Sequence, residues 1–253
     1  MKDIPSCMKS HNIFIKYIDK EVFAKQLRYG GLFMRTPRYY RMQGMKNMSM
    51  GDPQELDELY PIWCVSIFQR RADFKGEWKI DIESNQFETE IIMTKEASAD
   101  IIKALNGFTE RDGTSFASLG NYAVVIFDAA QYVGNLVEGF TDADFNFADR
   151  SVSAIPIECG KVSYGKEMNN HPKLYKVDKR FEYQREYRIR LGLNVSPNKY
   201  DVEFNLKDNK IFSNKYYKIK VFDKKTIIDD FKQNGCITFR NRYDITQILN
   251  NRL

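Results

Sequence analysis

Phe181-Glu182-Tyr183-Gln184-Arg185-Glu186-Tyr187-Arg188-Ile189-Arg190-Leu191 is the stretch whose reading decides the fold. Apolar and polar residues alternate along it, and a strand sends successive side chains to opposite faces. The pattern predicts a single strand over the whole run, with Tyr187, Ile189 and Leu191 turned into a core. Gln184, Glu186, Arg188 and Arg190 then share the other face as a ladder of an amide, a carboxylate and two guanidiniums. One reading is a wet face laced with Glu–Arg pairs. The other is the wall of a polar site, with Gln184 and Glu186 about 7 Å apart on one face.

The same periodicities place the neighbouring elements. Asn12 to Tyr17 reads as a first strand, and Asp19 can cap a helix running through Arg28 that Gly30-Gly31 ends. Leu32 to Thr36 is a short strand stopped by Pro37, and Arg38 to Met50 is helical or loop. Ile62 to Phe68 reads as a buried strand. Trp78 to Ile82 and Phe87 to Met93 read as a hairpin around Ser84-Asn85. Ala97 to Leu105 is a helix, Tyr122 to Phe127 a strand, and Asp128 caps a helix from Ala129 to Glu138. Gly139 to Asp149 reads as an acidic loop. The remainder is strand-rich: Ile155 to Tyr164, Tyr187 to Leu193, Val202 to Leu206, Tyr216 to Phe222 and Ile237 to Phe239. Short helices are expected over Thr226 to Gln233 and Ile245 to Asn250. Without a regular strand–helix–strand repeat, these elements predict an α+β domain built on mixed or antiparallel sheets with flanking helices. One domain, 1–253, is expected.

The 253 residues can bury one substantial core. No apolar stretch is long enough to span a bilayer. Met1 to Asn12 carries charges and Pro5 where a signal peptide needs an apolar block, so a cytoplasmic protein without membrane contact is expected. The four cysteines (Cys7, Cys64, Cys159, Cys236) are far apart, and with only His11 and His171 beside them no zinc cluster is in prospect. Two histidines also make a Ser-His-Asp or Cys-His system hard to build. The net charge of +5 is concentrated early, where Lys16, Lys20, Lys25, Arg28, Arg35, Arg38, Arg41 and Lys46 face few acids. Arg35, Arg38 and Arg41 on such a face suit phosphate, of a dinucleotide or of a nucleic acid, although a solvated basic surface has the same composition.

Two acidic patterns have competing readings. Asp73 ahead of Glu77-Trp78-Lys79 can hold Mg²⁺ as some nucleases do, but its spacing is short for that chemistry. Gly51-Asp52-Pro53-Gln54-Glu55 opens a turn or helix, with Glu55 in the first turn where acids are favoured; it could also contact a substrate or partner.

Phe14 to Asp19, followed by Leu27-Arg28-Tyr29-Gly30-Gly31-Leu32-Phe33-Met34-Arg35-Thr36-Pro37, resembles the opening of ADP-ribosyltransferases, DarT-type toxins that act on nucleic acid among them. The chain is also similar to a loosely defined bacterial family found near abortive-infection genes. The pieces carrying that similarity are Gly31 to Tyr40, Gly51 to Glu55 and Gln184-Arg185-Glu186-Tyr187-Arg188. The resemblance covers residues 12–193 in short pieces and leaves 194–253 as a strand-rich extension of the same domain. It implies an ADP-ribosyltransferase-like fold and an NAD-consuming toxin or anti-phage defence effector. The acceptor would be nucleic acid or protein, with an antitoxin or other defence-system protein as a possible partner. By that resemblance Glu186 steadies the sugar cation formed as nicotinamide leaves, and Gln184 orients the acceptor. Lys16 or Tyr17 takes the place of the NAD-gripping residue, where the family more often has Arg or His. Thr36 and Tyr39 or Tyr40 shape the nicotinamide pocket. The competing expectation is a non-catalytic protein that recognises a phage component, a partner protein or nucleic acid through its basic N-terminal face.

Overall fold

The computed structural model describes residues 12–27, 30–46, 60–81, 83–142, 145–147, 150–152, 156–165, 175–176, 179–192, 201–205 and 218–244. His11, His171, Cys7, the Gly51–Glu55 segment and the expected helix Ile245–Asn250 lie outside them.

The chain begins with strand β1 (Asn12–Ile18), helix α1 (Glu21–Leu27), strand β2 (Gly31–Arg35) and helix α2 (Pro37–Lys46). Pro37 stops β2 as expected and also opens α2, since its missing N–H is one that a first helical turn leaves unused. Strand β3 (Ile62–Gln69) precedes the hairpin β4 (Phe74–Asp81) and β5 (Gln86–Met93), then helix α3 (Lys95–Asn106). The short strands β6 (Phe108–Thr109) and β7 (Ser115–Phe116) pair with each other ahead of β8 (Tyr122–Ile126) and helix α4 (Ala129–Asp142). Next come β9 (Phe145–Phe147), β10 (Arg150–Val152), β11 (Ile157–Lys161), β12 (Ser163–Tyr164) and β13 (Tyr175–Lys176). A 3-10 helix (Lys179–Gln184) leads into β14 (Glu186–Leu191). The last elements are β15 (Asp201–Asn205), β16 (Ile219–Asp223), helix α5 (Lys224–Asn234) and β17 (Thr238–Asp244).

The principal sheet has the order β11-β14-β3-β1-β8-β16, with β2 joining β3 and β15 off that path, and every pair in it is antiparallel. A second antiparallel sheet runs β17-β5-β4. The α+β expectation with largely antiparallel sheets therefore holds.

Both faces of the principal sheet are covered, which explains why its central strands lack a polar face. On one face Phe14, Trp63, Val65, Val124, Ile126 and Ile189 pack with Ala24 and Leu27 of α1 and Tyr132 and Leu136 of α4. On the other, Ile13, Ile15, Phe68 and Val125 pack with Ala97, Ile101 and Leu105 of α3, Ile227 of α5, and Ile91 and Phe239 of the second sheet. Helix starts are fixed by capping oxygens. The Thr94 hydroxyl accepts from Ala97 N–H, Asp128 Oδ1 from Gln131 N–H, and Asp223 Oδ1 from Thr226 N–H, which satisfies donors that a first turn leaves open.

Three sequence expectations are corrected. The run from Phe181 is not one strand: Lys179–Gln184 is a 3-10 helix and Arg185 has φ 47° before β14 begins. Burial still alternates there, with Phe181 and Tyr183 inside and Glu182 outside, and three residues are too few for the period to separate strand from helix. The expected acidic loop after Gly139 is helix through Asp142, followed by the β9–β10 hairpin. Ile155–Tyr164 is broken into β11 and β12 at Val162, whose N–H donates to Glu186 O at 2.9 Å.

The pairing of β1 with β3 runs from Asn12↔Gln69 to Ile15↔Ser66 and ends there, while β3 continues beside β14 to Arg190↔Ile62. Past Ile15 the two central strands part. Lys16 Nζ reaches across the gap to donate to Cys64 O at 2.6 Å.

Candidate functional site

The site is built where β14 begins. Arg185 N–H donates to Glu182 O, closing the 3-10 turn, and Arg185 O accepts from Ile67 N–H at 2.9 Å. Its guanidinium pairs with Asp73 in the turn after β3 and, through Nε at 2.7 Å, with Asp100 of α3. Burial works against the charge of Arg185, but the hydrogen bonds and charges of Asp100 and Asp73 outweigh it and raise its pKa. One side chain thus ties three elements together beside the next residue, Glu186.

Glu186 is buried, not on a wet face. Its Oε1 accepts from Arg188 Nε at 2.6 Å and its Oε2 lies 2.7 Å from Lys176 Nζ. Glu186 and Arg188 share a face of β14, which lets them meet, and Lys176 arrives from β13. Desolvation opposes ionisation of Glu186. The charges of Arg188 and Lys176 and hydrogen bonds from Arg188 and the Cys64 thiol overcome it, holding the carboxyl well below the usual carboxylate range. Lys176 Nζ also donates to Gln184 Oε1 at 3.0 Å. Gln184 and Glu186 are therefore joined through a shared lysine, not by lying on one strand face.

The thiol and the phenols around this carboxylate are held neutral by burial. Burial, and then Glu186, push the Cys64 thiol up, so it is no nucleophile at neutral pH. Burial raises the phenols of Tyr164 and Tyr40, and Tyr164 Oη accepts from Glu186 N–H at 3.0 Å. Burial lowers Lys16, against the opposing charges of Cys64 and Glu186.

A cleft of about 620 Å³ opens at this end of β3 and β14, within the range of small-molecule sites. Glu186, Tyr164, Tyr183 and Phe108 contribute to its wall, together with the Asp73–Arg185–Asp100 cluster. Lys103, Lys161, Lys179 and Arg180 line it as well, as do Glu110 and Glu182.

Of the residues expected at a site, Glu186 lines this cleft, and Gln184 is bonded to the same lysine. Lys16 and Tyr40 lie within electrostatic range of Glu186 but not in the cleft wall. Tyr17 is not in the cleft wall, and burial pushes its phenol up. Thr36 is fully buried, and its hydroxyl accepts from Tyr39 N–H at 3.3 Å as the cap of α2. Tyr39 stacks under Arg35, whose guanidinium carbon is 4.4 Å from the ring centre. Arg38 and Arg41 are half-buried on α2, outside the cleft wall. Asp73 serves Arg185 and accepts from Gln69 N–H, while Glu77 and Lys79 are exposed on β4 and pair loosely at 3.8 Å. The Asp-x-x-x-Glu-x-Lys pattern is thus not assembled into a metal site, and among the described residues no cluster of three acid, His or Cys ligands occurs.

Sequence reasoning missed Lys176, Tyr164, Cys64 and Asp100 as neighbours of the 184–188 run. Only Cys64 carried a signal, its place in the apolar run of β3. No described helix is long and apolar enough to cross a membrane. No family model matches the chain, and neither a curated protein nor a solved structure matches it.

Proposed function

We propose that the cleft beside Glu186 binds NAD and that the chain transfers ADP-ribose from it to a nucleic-acid or protein acceptor, as a toxin or defence effector would. The observation that carries this reading is that Glu186, its carboxyl kept ionised by buried cations, is among the residues lining a ligand-sized cleft that also offers cations and aromatic rings. In the reaction the bond between ribose C1′ and the nicotinamide nitrogen breaks, and nicotinamide leaves with the bonding pair. Positive charge grows at C1′ and a fixed anion steadies it. An acceptor oxygen or nitrogen then bonds C1′ and releases its proton to water. Lys176 and Arg188 keep Glu186 charged and aimed, but they also weaken its field. One of them has to give way on binding. Lys176 is on the lighter tether, in a two-residue strand, whereas Arg188 sits inside the principal sheet.

The test is purified protein incubated with NAD labelled in the adenosine half, with RNA, DNA and protein as acceptors. Nicotinamide release by the wild type is expected. Glu186→Gln, assayed where circular dichroism shows it folded, should lower release by roughly 10²–10³-fold, the usual loss when one transition-state electrostatic contact is removed. Absence of nicotinamide release in the wild type overturns the transferase reading, and absence of NAD binding as well overturns the cleft as its site.

A second reading has its own support. Both oxygens of Glu186 are engaged by cations within 2.7 Å, which suits a structural pin in a protein that binds its ligand without turnover. That reading expects ligand binding and no nicotinamide release, with salt-sensitive binding of nucleic acid through Arg35, Arg38 and Arg41.

A further inference from the structure

We infer that Lys161 and Lys179 form a phosphate subsite at the mouth of the cleft, so that its ligand is a nucleotide bound phosphates-first against them with its ring toward Phe108 and Tyr183. This deepens the ligand reading above and rests on it only in taking the cleft to be a binding site.

The charges of the cleft sort by what already engages them. Arg185 is shared by Asp73 and Asp100, and Glu186 by Lys176 and Arg188. Lys103 lies over the Phe108 ring at 5.5 Å. Arg180 is 3.5 Å from Asp112 and 3.3 Å from the Thr114 hydroxyl. Lys161 and Lys179 line the same cleft and carry no ion pair among the described residues.

Lys179 is, moreover, seated. Gly165 has φ 113°, and a Cβ placed on it would lie 2.6 Å from Lys179 Cε. The stem of Lys179 therefore crosses the glycine in space that any side chain would take, and the glycine is itself tied down through its N–H to Lys176 O at 3.0 Å. An exposed lysine normally swings freely in water. Here Lys179 Cε passes close over the bare Cα of Gly165, next to Tyr164 in the cleft wall.

The acids in the same wall sharpen the ligand class. Glu110 and Glu182 line the cleft too, and they repel a bare anion. Carboxylates do accept from sugar hydroxyls, so a wall with both signs suits a molecule that pairs phosphate with a ribose diol. Phe108, stacked on Phe116 with ring centres 4.8 Å apart, meets Tyr183 edge to face at 4.9 Å, and the edge of this aromatic cluster is the apolar part of the wall against which a base or nicotinamide ring would lie.

The test is calorimetric binding of ADP, ADP-ribose, adenosine and inorganic pyrophosphate to the wild type, Lys161→Gln and Lys179→Gln. ADP and ADP-ribose should bind at least tenfold more tightly than adenosine. Each substitution should weaken ADP roughly tenfold while leaving adenosine unchanged, and added salt should erode the ADP preference. Equal affinity for ADP and adenosine, no binding of any of the four, or ADP affinity indifferent to both lysines overturns the subsite. The two readings fail separately. Lysine-dependent ADP binding without nicotinamide release leaves the subsite standing and removes the transferase, whereas NAD turnover with unchanged KM in both lysine variants does the reverse.

Discussion

Glu186→Gln is the perturbation that reads the buried cluster most directly. Glu186, Arg188 and Lys176 have side-chain exposures of 5%, 1% and 8%, so the pairs belong with buried ion pairs and not with surface bridges worth about 0–1 kcal/mol. Removing one partner of a buried pair leaves the other charges uncompensated and costs about 3–5 kcal/mol. That is a large share of a typical total stability of about 5–15 kcal/mol. In a chain of this size it should lower the melting temperature by roughly 6–20 °C. The pH dependence is more specific. The folded-state pKa of Glu186 lies below that of the unfolded chain, which is about 4.3. Its stabilising contribution is therefore complete above that value and is lost as pH falls toward the folded pKa, at up to about 1.4 kcal/mol per pH unit. Glutamine has no such proton to take up. Urea unfolding of wild type and variant at several pH values between 7 and 3 should show a gap that is constant down to about pH 5 and then narrows. A gap that stays constant to pH 3, or no gap at pH 7, would refute the double ion pair.

Two glycines distinguish close approach from helix propensity. A Cβ on Gly120 would lie 2.5 Å from Ile18 N and 2.7 Å from Ile18 C, both backbone atoms at the end of β1; Gly120→Ala should destabilise by about 1–3 kcal/mol or more. Gly134, in α4 with open space around its Cβ position, should gain about 0.5–1 kcal/mol when changed to alanine. Denaturant midpoints check both, and opposite signs are expected. Lys16→Met removes the donor to Cys64 O, costing about 1–3 kcal/mol for an orphaned carbonyl, part of which is offset by no longer burying an ammonium. Burial puts the folded pKa of Lys16 below the unfolded value of about 10.4. The unfolded state then holds more protons, so the wild type should gain stability as pH rises toward 10.4. Lys16→Met should lack that gain, and parallel pH profiles for the two proteins would contradict the assignment.

How far the sequence disclosed this structure depended on the range over which each signal acts. Strands with long periods of their own, such as Asn12–Ile18, Ile62–Gln69 and Gln86–Met93, were legible, as was the cap Asp128, because pattern and cap lie within one element; the cap Asp223, ahead of the expected helix start at Thr226, was not read. Glu186 was legible as the odd residue on a strand face. Its state was not. A carboxylate between two arginine positions reads as wet until Lys176, ten residues earlier, and Cys64, more than a hundred residues earlier, are folded against it. Thr36 and Pro37 were legible as a boundary, and the hydroxyl assigned to a pocket turned out to serve the α2 backbone. The Asp73–Arg185–Asp100 cluster joins three separated segments and carries no local signature at all.

Lys176 is where the two functional readings part. It contacts both Glu186 and Gln184, it comes from a strand of two residues, and its ammonium lies 4.9 Å from the Phe181 ring centre at the start of the run that forms the cleft wall. Lys176→Met keeps much of the stem and removes the charge. Glu186 retains Arg188, so the expected stability loss is at the low end for a broken buried pair, roughly 3 kcal/mol. If the cluster is only a pin, that loss is the entire phenotype and ligand affinity is unchanged. If Glu186 steadies a sugar cation, removing one of its two neutralising cations strengthens its field at C1′. Nicotinamide release per folded molecule should then rise, even as the melting temperature falls. Stability and turnover moving in opposite directions is a result that no purely structural role of Lys176 produces. A fall in kcat with the fold intact would instead show that Lys176 itself serves the reaction, and the account of it as a restraint on Glu186 would be wrong.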